Sequence, residues 1–159
     1  MIKKDKKVKE FMIIKSLEEM RDFANKLAPL LRCNDVLNLI GEMGAGKTTF
    51  TGYLTEAFGI TDSSSPTFAI VNIYEGDKTI YHLDLYRLDS PDELLDIDYE
   101  TYFYPEDAIS IIEWAENGEG YLPDDMVSIE FEKISENSRQ VTILDASARG
   151  REINEYFSN

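Results

Sequence analysis

From Gly41 to Thr48 the chain reads Gly-Glu-Met-Gly-Ala-Gly-Lys-Thr, which satisfies G-x-x-x-x-G-K-[ST] at every fixed position. The glycines let the backbone curl so that successive N–H groups face one point, and a helix following them adds its positive end. Both features favour a phosphate group. Lys47 is long enough to reach the β- and γ-phosphates of a nucleotide, and the Thr48 hydroxyl suits Mg²⁺. Glu42, Met43, Gly44, Ala45 and Gly46 would then wrap the nucleotide. Thr49 either touches the α-phosphate or faces the helix interior. A plain glycine turn is the competing reading, and the buried strand before the loop and the helix after it count against it.

Such a loop needs an acidic group to organise Mg²⁺ or water. Asp84 lies in His82-Leu83-Asp84-Leu85-Tyr86-Arg87, at the end of an expected strand, where alternation puts His82 and Asp84 on one face. Glu113 ends a second apolar strand, a position from which a carboxylate can reach a metal or its waters. Beside Mg²⁺ either group stays anionic, because the cation offsets the cost of the charge. The competing reading for each is an exposed acid at a strand end. His82 is expected to be structural rather than a base, and Arg87 to pair with a carboxylate rather than a phosphate. Trp114 either packs in the core or shields the site and stacks on a base. Thr67, in Ser65-Pro66-Thr67-Phe68, stands where a switch segment would sense the γ-phosphate, and its hydroxyl could serve Mg²⁺ or the attacking water. The competing reading of the serine run is an ordinary loop.

The elements needed to hold these residues are recognisable. Glu10 to Lys15 reads as a strand. Ser16 with Glu19 reads as a capping box for a helix, whose Leu17, Met20, Phe23, Ala24, Leu27, Leu30 and Leu31 recur near 3.6 residues, with Pro29 disturbing the last turn. Asp35 to Ile40 lacks alternation, the pattern of a strand covered on both faces. A helix follows from Lys47 to Phe58, closed by Gly59. Phe68 to Tyr74 and Thr79 to Leu85 read as a hairpin, and Asp89-Ser90-Pro91 as a turn into a helix near Pro91. Ile109 to Ile112 is a buried strand, Met126 to Phe131 and Arg139 to Leu144 an antiparallel pair, and Arg149 to Phe157 a final helix. The sum is an α/β fold: a three-layer P-loop NTPase with a mixed central sheet and helices on both faces. One domain over residues 10–159 follows a basic leader over 1–9.

Composition narrows the partners. The formal charge is −15, with 16 basic against 31 acidic residues over the 159-residue chain. That balance argues against this chain alone gripping a nucleic-acid backbone. Residues 89–136 hold only one basic residue, Lys133, so one face is expected to be strongly negative, either for solubility or for docking a basic protein. A single cysteine, Cys33, excludes an internal disulfide or a cysteine metal cluster. No apolar run is long enough for a membrane helix and no signal peptide is evident, so the expected compartment is the cytoplasm.

Taken together, GEMGAGKTT (Gly41 to Thr49), SPTF (Ser65 to Phe68), Tyr74, HLDLYRL (His82 to Leu88), IEWAE (Ile112 to Glu116), Leu122-Pro123 and Arg139 resemble the TsaE (YjeE) ATPases. These act in making N6-threonylcarbamoyladenosine at position 37 of tRNAs that read ANN codons. The likeness runs from Ser16 to about Gly150. Departures are Glu42 at the second loop position, Met43 where leucine is usual, and Ala115 where proline often occurs. The resemblance implies ATP and Mg²⁺ as ligands. It makes Lys47 the phosphate-binding lysine, Thr48 a Mg²⁺ ligand, Asp84 a second acidic Mg²⁺ group and Glu113 the strand-end carboxylate. Trp114 and Thr67 would be site-lining and switch residues. It also implies a complex with the TsaD and TsaB proteins, which ATP hydrolysis resets between rounds, and contact with tRNA only through that complex.

Nothing in the sequence singles out the general base: Glu113 ranks first and Asp84 second. No arginine finger is evident, so hydrolysis by the isolated chain is expected to be slow and a partner to complete the site. A small-molecule or nucleoside kinase is the main rival, opposed by the lack of an arginine-rich lid. A nucleotide-gated binding protein with little catalysis is the other. Guanine preference is unsupported, because no N/T-K-x-D motif is present.

Overall fold

The computed structural model describes residues 11–61 and 70–158. The basic leader, Thr67 and the rest of the SPTF segment lie outside the described residues. In chain order the strands are β1 (Phe11–Ile14), β2 (Val36–Ile40), β3 (Val71–Glu75), β4 (Thr79–Asp84), β5 (Ala108–Glu113), β6 (Val127–Lys133) and β7 (Arg139–Ile143). The helices are α1 (Leu17–Leu27), α2 (Lys47–Ala57), α3 (Tyr99–Phe103) and α4 (Ala148–Ser158).

All seven strands join one sheet in the order β1-β7-β6-β2-β5-β4-β3. The middle strands β6, β2, β5 and β4 run parallel; β3 and β7 run against them at the two sides, and β1, antiparallel to β7, returns to their direction. The pattern follows from the side chains. β5 is buried at every position, as a parallel strand covered on both faces must be. Edge strands β1 and β3 instead leave Phe11 and Ile73 half exposed. The mixed sheet of the expected α/β fold is thus present.

The two faces are covered differently. On one, α1, α2 and α4 press Phe23, Leu27, Phe50, Leu54 and Ile153 onto Leu37, Leu39, Ile109 and Ile111. On the other, the cover consists of 3₁₀ turns at Pro91–Asp96 and Ala115–Gly118 together with the short α3, which bring Leu94, Phe103 and Ala115 onto Val36, Leu83 and Ile112. The helix expected near Pro91 is therefore a 3₁₀ turn, entered through a full capping box of Ser90 and Glu93. At α1, the Ser16 side chain accepts from the Glu19 N–H as expected, but the Glu19 carboxylate reaches back to the Lys15 N–H, not to that of Ser16. Leu17, expected in the buried stripe, is exposed, and Pro29 sits in a 3₁₀ turn that ends the helix. Among the described residues no helix is long and apolar enough to cross a membrane.

This topology sets the site. In a parallel sheet all carboxyl ends point the same way, and the crevice beyond them is where open α/β sheets bind ligands. β2 runs there into the glycine loop, while β4 and β5 end in Asp84 and Glu113.

Candidate functional site

The loop from Gly41 to Gly46 is shaped by positive backbone angles that favour glycine: Gly41 has φ 153°, Gly44 84° and Gly46 115°. At Gly41 space is limiting as well, since a Cβ there would lie 2.6 Å from the Phe131 carbonyl oxygen of β6. Gly46 caps α2 without a side chain in that role. The first bond in the helix runs from the Phe50 N–H to the Gly46 carbonyl, so the N–H groups of Lys47, Thr48 and Thr49 lie ahead of the ladder, available to an anion.

A cleft of about 370 Å³ opens over this turn, lined by loop residues Met43 to Thr49 except Ala45, and by Asp84, Glu113, Trp114 and Arg139. The parallel register of β4 and β5 sets Asp84 directly opposite Glu113. The carboxylate pair read from two separate strand ends is therefore one cross-strand pair. Asp84 is exposed and accepts from the Tyr86 N–H at 3.0 Å, whereas Glu113 is 6% exposed.

Lys47 is buried at 5% exposure, its ammonium 4.3 Å from the centre of the Trp114 ring and 3.9 Å from Oε1 of Glu113. The second distance is an ion pair but too long for a hydrogen bond, so among the described residues the three ammonium donors have no acceptor within hydrogen-bond distance. The other carboxylate oxygen, Oε2, lies 2.7 Å from His82 Nε2. Trp114 occupies the left-handed region with φ 58° and leans on Tyr86, ring centres 5.0 Å apart. It lines the cleft wall and is also packed against the core of the second face, so the two expected placements are not exclusive.

Thr48 and Thr49 both line the cleft, so Thr49 does not face the helix interior. Glu42 is exposed and outside the lining, and Ala45 is buried in the core beneath the loop, which leaves these two only their backbone to offer. Arg87 is exposed and has no ion pair among the described residues; the expected carboxylate partner is not there, because its loop turns it outward beyond Tyr86.

Arg139 was given no role by its sequence context beyond the resemblance. Its guanidinium donates to the Gly44 carbonyl at 3.1 Å and to the carbonyls of Ser135 and Ser138, which clamps the outer side of the loop. It also borders a second cavity of about 450 Å³, reached past Gly46 and Thr49 and walled by Ile14, Ser16, Leu17 and Met20. The signal for Arg139 lay in topology. As first residue of β7, antiparallel to β6, it must emerge at the same end of the sheet as the loop.

A family model described as threonylcarbamoyl adenosine biosynthesis protein TsaE matches residues 14–141. A tRNA threonylcarbamoyladenosine biosynthesis protein TsaE of Bacillus subtilis is 36% identical over 134 residues, 83% of either chain. Its namesake in Aquifex aeolicus is 38% identical over 136 residues, 83% of this chain and 93% of the other. The crystal structure of Bacillus subtilis YdiB is similar with a TM-score of 0.78 at 28% identity, covering 94% of both chains.

Proposed function

The chain belongs to the TsaE family of threonylcarbamoyl adenosine biosynthesis proteins, and from that premise we propose that it hydrolyses ATP to ADP and phosphate with Mg²⁺ in the service of tRNA threonylcarbamoyladenosine formation. The observation that carries this reading is the convergence of Lys47, Thr48, Asp84 and Glu113 on one cleft over a loop with free N–H groups.

The residues fit magnesium. A threonine hydroxyl and two carboxylates are hard oxygen donors, and Mg²⁺ is usually held by one or two carboxylates together with substrate phosphates. Thr48, Asp84 and Glu113 would hold it. When bound, the ion would neutralise phosphate oxygens and orient the β–γ bridge.

The chain's own groups do the rest. The Lys47 ammonium, with open donors, binds the β- and γ-phosphates. The N–H groups opening α2 meet phosphate oxygens. Glu113 receives the proton of the attacking water or orients that water, with Asp84 beside it. Thr67 is proposed as the switch hydroxyl. The base and ribose belong in the second cavity, since its walls begin at Gly46 and Thr49, where the phosphate cleft ends. Trp114 sits at the phosphate end and shields Lys47 instead of stacking on the base.

Arg139 is tied to loop carbonyls, so no free arginine of the lining is left to neutralise transferring charge. Met43 and Tyr86, exposed by 66% and 49% beside the cleft, offer apolar ground for a partner. A complex with TsaD and TsaB, reset by hydrolysis, accords with both features, and tRNA would be reached through that complex in the cytoplasm. The test is ATP turnover of the chain alone and with its partners, for the wild type and Glu113→Gln. A Glu113→Gln protein that binds ATP but does not turn it over supports the reading. Undiminished turnover by that variant, or fast turnover by the monomer that assembly leaves unchanged, rejects it.

A further inference from the structure

We propose that His82 is a positioning residue which clamps Oε2 of Glu113 and so dedicates Oε1 to the ligand cleft. The inference rests on the reading of Glu113 as the carboxylate that serves the metal or its waters. Its own observation is the division of labour between the two carboxylate oxygens: Oε2 lies 2.7 Å from His82 Nε2, while Oε1 is the oxygen on the Lys47 side. With the Glu113 carboxylate as acceptor, Nε2 is the ring nitrogen that carries the hydrogen in this contact.

The clamp is built from the sheet. In the register of β4 and β5, His82 lies opposite Ile111 and Asp84 opposite Glu113. His82 and Asp84 thus share one face of β4, two residues apart. From that face His82 reaches the Glu113 side chain, and Asp84 lines the cleft. Glu113 has little other support: its side chain is 8% exposed, and Lys47 at 3.9 Å is an ion pair without hydrogen-bond geometry. A free carboxylate at the end of three rotatable bonds could turn either oxygen, or both, toward a cation. With Oε2 held, it presents one oxygen in one orientation. Outer partners that orient a metal-binding or water-holding carboxylate in this way typically contribute about 10–100-fold in metal affinity or activity. His82 touches neither nucleotide nor water in this scheme.

The experiment measures binding of ADP and of adenylyl imidodiphosphate by calorimetry, each with and without Mg²⁺, for full-length wild type, His82→Asn, His82→Gln and Glu113→Gln. The gain in affinity on adding Mg²⁺ is the readout. Gln can place an N–H near the position of Nε2, whereas Asn is too short. We expect His82→Asn to lose roughly tenfold or more of that gain, Mg²⁺-free affinity to stay at the wild-type level, and His82→Gln to retain most of the gain. Equal gains in all three His82 forms overturn the proposal, and so does equal loss in Asn and Gln. Glu113→Gln separates the two levels of inference. If it keeps the full gain, the reading of Glu113 itself is wrong; if it loses the gain while His82→Asn keeps it, only the clamp is wrong. Should the variants fold poorly, the wild type still decides. The chain has one histidine, so its ring nitrogens are unambiguous by NMR, and a neutral ring with the hydrogen on Nδ1 overturns the clamp without any substitution.

Discussion

Two largely buried ion pairs lie at opposite ends of the sheet, and they are built to different standards. Away from the cleft, Arg149 of α4 meets Asp35 with Nε at 2.8 Å from Oδ1 and Nη2 at 3.0 Å from Oδ2. Two further donors go to the Leu30 carbonyl and Glu152, and Asp35 also accepts from the Arg32 N–H. At the cleft, Lys47 and Glu113 are buried as deeply, yet they stand 3.9 Å apart with an aromatic face as the lysine's other neighbour. Removing charge from water costs several kcal/mol per ion, recovered only when the geometry is good and remaining valences are filled. The first pair fills most of them and closes the fold. The second leaves them open among the described residues, which is what the proposed triphosphate would require.

The sharpest way to break this contrast is to remove one cation from each end. Arg149→Met should destabilise the fold by about 3–5 kcal/mol, because Asp35 is left buried and uncompensated. Nucleotide affinity, measured below the melting temperature, should not change. Chemical denaturation with a parallel binding titration checks both halves. The hydrogen bond to Asp35 raises the Arg149 pKa above its ordinary value, with burial opposing and Glu152 assisting. A raised pKa in the folded state means a contribution fully present below the unfolded value and lost only as pH climbs through the higher folded one. Deprotonation of Arg149 therefore should not weaken the fold anywhere below about pH 12.

Lys47→Met should do the reverse. Turnover should fall on the order of 10²–10³-fold, the usual cost of one donor aimed at developing charge, while stability falls less than in Arg149→Met. Glu113 keeps its bond to His82, and the methionine can still lie on Trp114. Comparable stability losses in the two variants would erase the distinction drawn between the pairs.

Glycines of the loop refine the cleft end further. Gly41→Ala combines a positive φ with a Cβ 2.6 Å from the Phe131 carbonyl, a backbone atom that cannot step aside. The strain alone is worth about 1–3 kcal/mol, and the loop must shift, so affinity should drop as well. At Gly44 nothing lies within 4 Å of an added Cβ. Gly44→Ala should carry only the cost of its backbone angle, about 1–2 kcal/mol. Equal effects on nucleotide affinity at the two positions would show that room beside β6 is not what limits the loop.

The difference between the two ends also explains how much was legible in the sequence. Gly41 to Thr48 is local: strand, loop and helix are contiguous, so spacing alone carries the geometry. Glu113 was readable because an apolar run that stops at an acid marks a strand end. The unreadable part depends on which strands become neighbours. That His82 bonds Glu113 requires β4 beside β5 in one register, and that Arg139 clamps Gly44 requires β7 to lie two strands from β2. The Asp35–Arg149 pair joins residues far apart in the chain that no motif links. The second face failed locally for a different reason: Ser90-Pro91 with Asp92 and Glu93 is a helix-start signal, yet the segment through Asp96 closes as 3₁₀ turns around Leu94. Trp114 was ambiguous because its left-handed backbone, unfavourable for a tryptophan, is imposed by the exit from β5.

The smallest effect is expected at an exposed polar contact, which supplies a third point for the comparison. The Tyr121 hydroxyl donates to Asp92 at 2.6 Å on the acidic face. That hydrogen bond first, then the slight desolvation and the nearby charge, raise the phenol above its ordinary 10.0. The sign is the same as for Arg149: the contact helps the fold below the ordinary value, and the help is lost as pH rises through the folded one. Of the chain's nine tyrosines, this one should ionise late in a titration followed by phenolate absorbance. Asp92→Asn should bring it back toward the ordinary value and leave turnover alone. Superimposable titration curves for wild type and variant would mean the bond does not persist in water. A difference confined to that one phenol would set the solvated contact, which only tunes a proton, apart from the two ion pairs, which differ from each other in saturation and not in burial.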